Sequence, residues 1–214
     1  MAPRMQSAGT AGIVAGVALA IGFILFLTSG ITAEVLGDPA QALSRLGQRA
    51  GLLRLISAVF VVAVAFAVVF VAGLAAKLRD RTPTRATATL YFGVLGLAGH
   101  GLGSLIFLTA VPALVAYAAK DQVAASHAWV ALYALDNATD GLGTLFAGLS
   151  FLMAGWAITA TKVLSTALGW VAIIAGVVGV VTPFFAANEL LFLASFVLPI
   201  IVLLWAGNAL RTAT

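Results

Sequence analysis

The chain has 214 residues, of which 63% are apolar and only 8% charged, with a mean hydropathy of +1.15 and a formal net charge of +4. A soluble domain is about 45–50% apolar and about 25% charged, so an ordinary soluble globule, a disordered chain and a solvated repeat protein are excluded and an integral membrane protein is indicated. The lack of cysteine excludes disulfides, iron–sulfur clusters and thiolate metal sites, and without a basic run interleaved with aromatics the positive charge reads as loop anchoring rather than nucleic-acid binding.

In chain order, Arg4 precedes a charge-free apolar run over 11–29. That run is longer than the apolar stretch of a signal peptide, so it reads as a retained first span. The first loop, 31–51, contains Asp38-Pro39, a good helix start. Leu43 and Leu46 lie opposite Arg45, Gln48 and Arg49, which predicts a short interfacial helix in an external loop. A second span covers 52–76, with Arg54 near its start, and a third lies at 88–117 in the charge-free stretch between Arg85 and Lys120. From Ala124 the chain reads as helix through Trp129 and Tyr133 into a fourth span at 138–160. Such a helix would be about 55 Å long at 1.5 Å per residue, more than a bilayer core, so it should project outward or bend near Asn137 and Gly141. The fifth and sixth spans are 163–181 and 190–210, and Pro112 and Pro199 should kink the helices that hold them. The expected architecture is all-α: a polytopic bundle of six transmembrane helices forming one integral membrane domain over 1–214.

Basic residues set the orientation. With six spans, Arg4, Lys77, Arg79, Arg81, Arg85, Lys162 and Arg211 share one side, against Arg45, Arg49, Arg54 and Lys120 on the other. Both termini should therefore be cytoplasmic, in the cell (plasma or inner) membrane. Of the seven acids only Asp80 falls on the basic side; Glu34, Asp38, Asp121, Asp136, Asp140 and Glu189 fall on the other.

The glycines crowd the spans, among them Gly12 and Gly16 in the first and Gly93, Gly96, Gly99, Gly101 and Gly103 in the third. Small residues let helix backbones approach, within one subunit or in a homo-oligomer or other protein partner. Gly101-Leu-Gly-Ser-Leu105 echoes Gly141-Leu-Gly-Thr-Leu145, a match short enough to be chance in a chain this rich in glycine and leucine.

The segments Asp140-Gly-Leu-Gly-Thr-Leu-Phe-Ala-Gly-Leu, Ala154-Gly-Trp156 and Leu168-Gly-Trp-Val-Ala-Ile-Ile-Ala-Gly176 resemble the C-terminal half of a bacterial six-span family, domain of unknown function 4386. The resemblance covers residues 52–210. The chain departs from that family's Ser-Gly-x-x-Pro turn, with Thr161-Lys-Val-Leu-Ser-Thr166 in its place. The resemblance implies six spans and brings no catalytic residues.

The candidate ligand-binding residues are His100, Asp136, Asn137, Asp140, Asn188 and Glu189. Asp136 and Asp140 stand four apart and so share a helix face, with Trp129 and Tyr133 on the same stripe. Glu189 opens the sixth span at the same level. These acids either line a pocket for a cation, amine or proton, or cap helices that start at that face. His100 reads as lying near mid-depth, so it needs a partner, expected to be a hydroxyl such as Ser57 or Thr144 or a backbone carbonyl. His127, the other histidine, falls in the external segment at another depth, which disfavours haem. Ser104, one turn from His100, lacks an oxyanion element and a third partner, so no catalytic residue is assigned, and no metal site is expected. Two functions remain: a non-catalytic accessory subunit or structural bundle, favoured by the scarcity of polar residues in the spans, and a small-molecule or cation transporter or intramembrane enzyme using an outward acidic pocket. Nucleic acid is not an expected partner; the lipid bilayer is.

Overall fold

In a computed structural model, which describes residues 2–185 and 188–212, the chain is a bundle of helices with no strand among the described residues. The elements are α1 (Ala2–Thr28), α2 (Ala33–Gly37), α3 (Pro39–Gln48), α4 (Ala50–Arg79), α5 (Pro83–Leu105), a π-helical turn (Ile106–Ala110), α6 (Val111–Ala118), α7 (Gln122–Thr161), α8 (Thr166–Val181), a 3₁₀ turn (Thr182–Phe185) and α9 (Glu189–Thr212). Six of the helical stretches are long and apolar enough to cross a bilayer: α1, α4, α5 with α6, α7, α8 with its 3₁₀ turn, and α9. The protein is a multi-pass membrane protein.

The six pack as a closed ring in the order α1, α4, α5, α7, α8, α9 and back to α1. The loops joining α4 to α5 and α7 to α8 lie at one end, which carries most of the lysine and arginine and is called the basic end below. The other end carries α2, α3, α6 and the start of α7, and is called the cap end. The two ends are filled differently. Toward the basic end the interior is packed by Ala67, Phe70, Leu74 and Leu78 of α4, Ala154 and Ile158 of α7, Leu168 of α8 and Leu203, Ala206 and Leu210 of α9. Tyr91, Trp156, Trp170 and Trp205 stand exposed around the same end, where amphipathic rings favour the lipid–water interface. Arg85 lies over the Trp156 ring, 5.1 Å from its centroid.

At the cap end a separate cluster forms. Ala42, Leu43 and Leu46 of α3 are buried against Val111 of α6 and Ala125 and Trp129 of α7. The Trp129 indole N–H donates to the Leu36 carbonyl at 2.9 Å, which fastens the first loop to α7. The expected amphipathic helix in this loop is α3; Asp38 caps it by accepting from the Ala40 and Gln41 amides. Its apolar side rests on α6 and α7.

Two expectations about helix shape are settled by local chemistry. Helix α7 is unbroken over its 40 residues, about 60 Å against a hydrocarbon core of about 30 Å. It projects outward rather than breaking at Asn137 and Gly141, because its first turns are held by the cap cluster. Pro112 has no N–H to give Leu108, and its ring would crowd that carbonyl. The chain widens into the π turn just before it, where the Val111 N–H reaches Ile106 instead. At the α7–α8 junction Lys162 takes a left-handed conformation, φ 55°, and Ser165 caps α8. Helix α8 therefore begins three residues later than the apolar run from Val163 implies.

Candidate functional site

Helices α5 and α7 touch along glycine. A Cβ added at Gly96 would stand 2.5 Å from the Ala147 backbone nitrogen, and one at Gly99 would stand 2.8 Å from the Gly143 Cα. One at Gly143 would meet the His100 nitrogen at 2.9 Å. These contacts bring the two backbones close enough for one side chain to span the seam. His100 Nδ1 and Asp140 Oδ1 are 2.8 Å apart, the single ion pair among the described residues. Below them Ser150 donates across the same seam to the Thr89 carbonyl at 2.8 Å.

This pair corrects the expectation of a hydroxyl or carbonyl partner for His100. Mid-depth was inferred from an apolar run, whereas α5 starts at Pro83 and α7 ends at Thr161. His100 stands about 22 Å along its helix from Arg85, and Asp140 about 24 Å from Trp156, so both lie toward the cap-end edge of the core at the same level. The acids and the histidine share a depth that hydropathy alone did not reveal.

The pair also faces inward. Asp140 is eighteen residues, about five turns, from Ile158 on α7, and Ser104 stands in the same relation to Ala86 on α5. Ile158 and Ala86 are both buried in the interior packing, so Asp140 and Ser104 point toward the middle of the ring. Both side chains are nevertheless partly exposed, His100 by 32% and Asp140 by 56%. On the opposite arc, Phe23 of α1 stacks on Phe196 of α9 at 4.6 Å, with Phe60 and Phe192 beside them.

The other candidates divide. Asp136, one turn outward of Asp140, reaches toward α5: a Cβ at Gly103 would stand 3.1 Å from its Oδ1. Tyr133, one turn further, stacks on Trp129 with centroids 5.6 Å apart. Asn137 is exposed on the same helix. Capping does not account for Asp136 and Asp140, because α7 starts at Gln122 with Asp121 as its cap. Asn188 does cap, accepting from the Leu191 amide, and Glu189 lies exposed in the first turn of α9; neither bonds to Asp140 or His100. His127 is exposed on the outer stretch of α7.

The sequence carried one signal for the pairing. In both copies the echo noted above is preceded directly by one member of the pair: His100-Gly-Leu-Gly-Ser-Leu105 and Asp140-Gly-Leu-Gly-Thr-Leu145. The two copies run antiparallel against each other. Gly99 faces Gly143 as Thr139 faces Gly103, and Gly103 faces Asp136 as Gly143 faces Gly96. A local two-fold relation passes through the His100–Asp140 bond, so the short match is a structural one.

The family model described as Domain of unknown function (DUF4386) matches residues 14–207. The chain belongs to this family. No curated protein and no solved structure matches it. The DUF4386 match reaches further upstream than the resemblance over 52–210, taking in most of α1 and the whole cap. His100, Asp136 and Asp140 lie inside it.

Proposed function

We propose that this DUF4386 protein handles a small cation, the proton foremost, at His100 and Asp140. The single observation that carries the reading is the 2.8 Å imidazole–carboxylate bond between two spans, on the inner side of the ring and with both side chains partly exposed. Ionisable groups at membrane depth are costly and mark ion or proton paths. An imidazole hydrogen-bonded to a carboxylate is the side-chain pairing used to shuttle protons. A resident metal would need about four or more donors, and no three histidines or acids converge among the described residues. Asp136 and Tyr133 form the polar approach from the cap end.

The same reading places both termini in the cytoplasm of a cell membrane, on the seven-to-four division of basic residues, so that the site opens outward. The test is flux into liposomes. Protein-containing vesicles carrying a pH-sensitive dye, under an imposed membrane potential, should change internal pH faster than empty vesicles. Asp140→Asn should return the rate to that of empty vesicles, while Asp80→Asn should not. Equal rates for protein-containing and empty vesicles would remove the proton path and favour the accessory-subunit reading, which requires a protein partner to co-purify in mild detergent.

A further inference from the structure

Arg45, Arg49 and Arg54 fall within ten residues at the α3–α4 corner, all exposed and none in an ion pair among the described residues. No carboxylate of the cap end pairs with them, the exposed Glu34 of α2 included. Asp38 accepts from Ala40, from Gln41 and from the Gln41 side chain; Asp121 caps α7; Asp140 holds His100. Three arginines on the acid-rich end thus lack a counter-charge from the protein.

Their depth identifies the missing partner. Arg54 stands about 35 Å along α4 from Lys77, against about 30 Å of hydrocarbon and about 40–45 Å with headgroups. With Lys77 and Arg79 at one headgroup layer, Arg54 lies at the other. Beside it, Gly51 is exposed with open space around its Cα. Directly below, one and two turns along the same face of α4, Ala58 and Val62 line an apolar groove of about 440 Å³ whose other wall is Val14, Val17 and Ile21 of α1. A cationic rim above a membrane-depth apolar groove fits one class of molecule.

We propose that Arg45, Arg49 and Arg54 bind the phosphate of an anionic phospholipid whose acyl chain lies in the α1–α4 groove. Arginine suits phosphate because its planar fork donates two parallel hydrogen bonds. The site is separate from the His100–Asp140 pair and stands or falls without it.

Native mass spectrometry of the whole protein with added phosphatidylglycerol or phosphatidylcholine tests the proposal. The protein should retain phosphatidylglycerol preferentially. Each arginine changed to glutamine should weaken that binding roughly fivefold, and Arg45→Gln/Arg49→Gln/Arg54→Gln together should abolish the preference. Arg79→Gln/Arg81→Gln, on the opposite face, should leave it in place. Ala58→Phe, which fills the groove and keeps the arginines, should weaken both lipids. Equal retention of the two lipids by the unaltered protein would overturn the proposal, as would equal loss from the two sets of arginine variants. Unchanged binding in Ala58→Phe would overturn the groove as the seat of the chain.

Discussion

His100 and Asp140 satisfy each other across a glycine seam, and the two residues should respond differently to substitution. In His100→Gln an amide N–H still reaches the carboxylate, so the melting temperature should stay near that of the parent while proton flux is lost. His100→Leu leaves Asp140 without its partner. The loss should be near the lower end of about 1–3 kcal/mol, because the carboxylate is more than half exposed. A thermal-shift measurement of both variants, set beside the flux assay, separates a structural hydrogen bond from a proton site; unimpaired flux in His100→Gln would assign the pair a structural role alone. Asp38 gives a second residue-scale expectation. Hydrogen bonds from the Gln41 amide and then the Gln41 side chain hold its carboxyl below the usual range. A carboxylate depressed by folding adds stability above its unfolded value, near the ordinary 3.8, and loses it as pH falls through the folded value. Protection from amide exchange in the first turn of α3, taken against the intrinsic rate at each pH, should therefore fall below about pH 4, and in Asp38→Asn it should lose this acid dependence.

Among the elements, what hydropathy marks is hydrocarbon, and what side-chain caps mark is helix ends; the two diverged at α7. The apolar run places a span at 138–160, which makes Asp136 and Asp140 look like residues at a helix start. The helix read from Ala124 begins at Gln122 behind Asp121, so both acids sit mid-helix and need another explanation. The six spans and the amphipathic α3 were legible because charge-free runs and the Leu43–Leu46 spacing report burial directly. The His100–Asp140 bond was not, because depth depends on where helices start rather than where apolarity does. Its trace lay in a five-residue echo, which only an antiparallel contact makes meaningful. Two substitutions test the seams. Gly143→Ala puts a methyl 2.9–3.1 Å from the backbone of His100 and Gly96 and from the His100 ring. The helices must part, at a loss of about 1–3 kcal/mol. Gly51→Ala, beside open space, should be neutral or slightly stabilising. Lys162 holds a left-handed conformation that suits glycine. Lys162→Gly should stabilise by about 1 kcal/mol, read as a raised melting temperature; a lowered one would show that the side chain contributes more than the strain removes.

On the scale of the whole molecule, charge is segregated along the ring's axis. The basic end holds Lys77, Arg79, Arg81, Arg85, Lys162 and Arg211 with Asp80, and the cap end holds all the other acids. On the orientation proposed above the lysine- and arginine-rich loops face the cytoplasm and the exposed sides of His100 and Asp140 face the exterior. A chain without cysteine allows this to be read directly. One cysteine belongs at Gly37, exposed at the end of α2 with no atom within 4 Å of an added Cβ. The other belongs at Thr166 rather than its neighbour Ser165, since the Ser165 hydroxyl caps α8 by accepting from the Leu168 amide and its loss would weaken the turn being probed. In intact cells an impermeant maleimide should label the Gly37→Cys protein, and the Thr166→Cys protein only after permeabilisation. The reverse pattern would place the cap in the cytoplasm, turn the acidic approach to His100 inward, and make the lipid rim at Arg45, Arg49 and Arg54 a feature of the cytoplasmic leaflet.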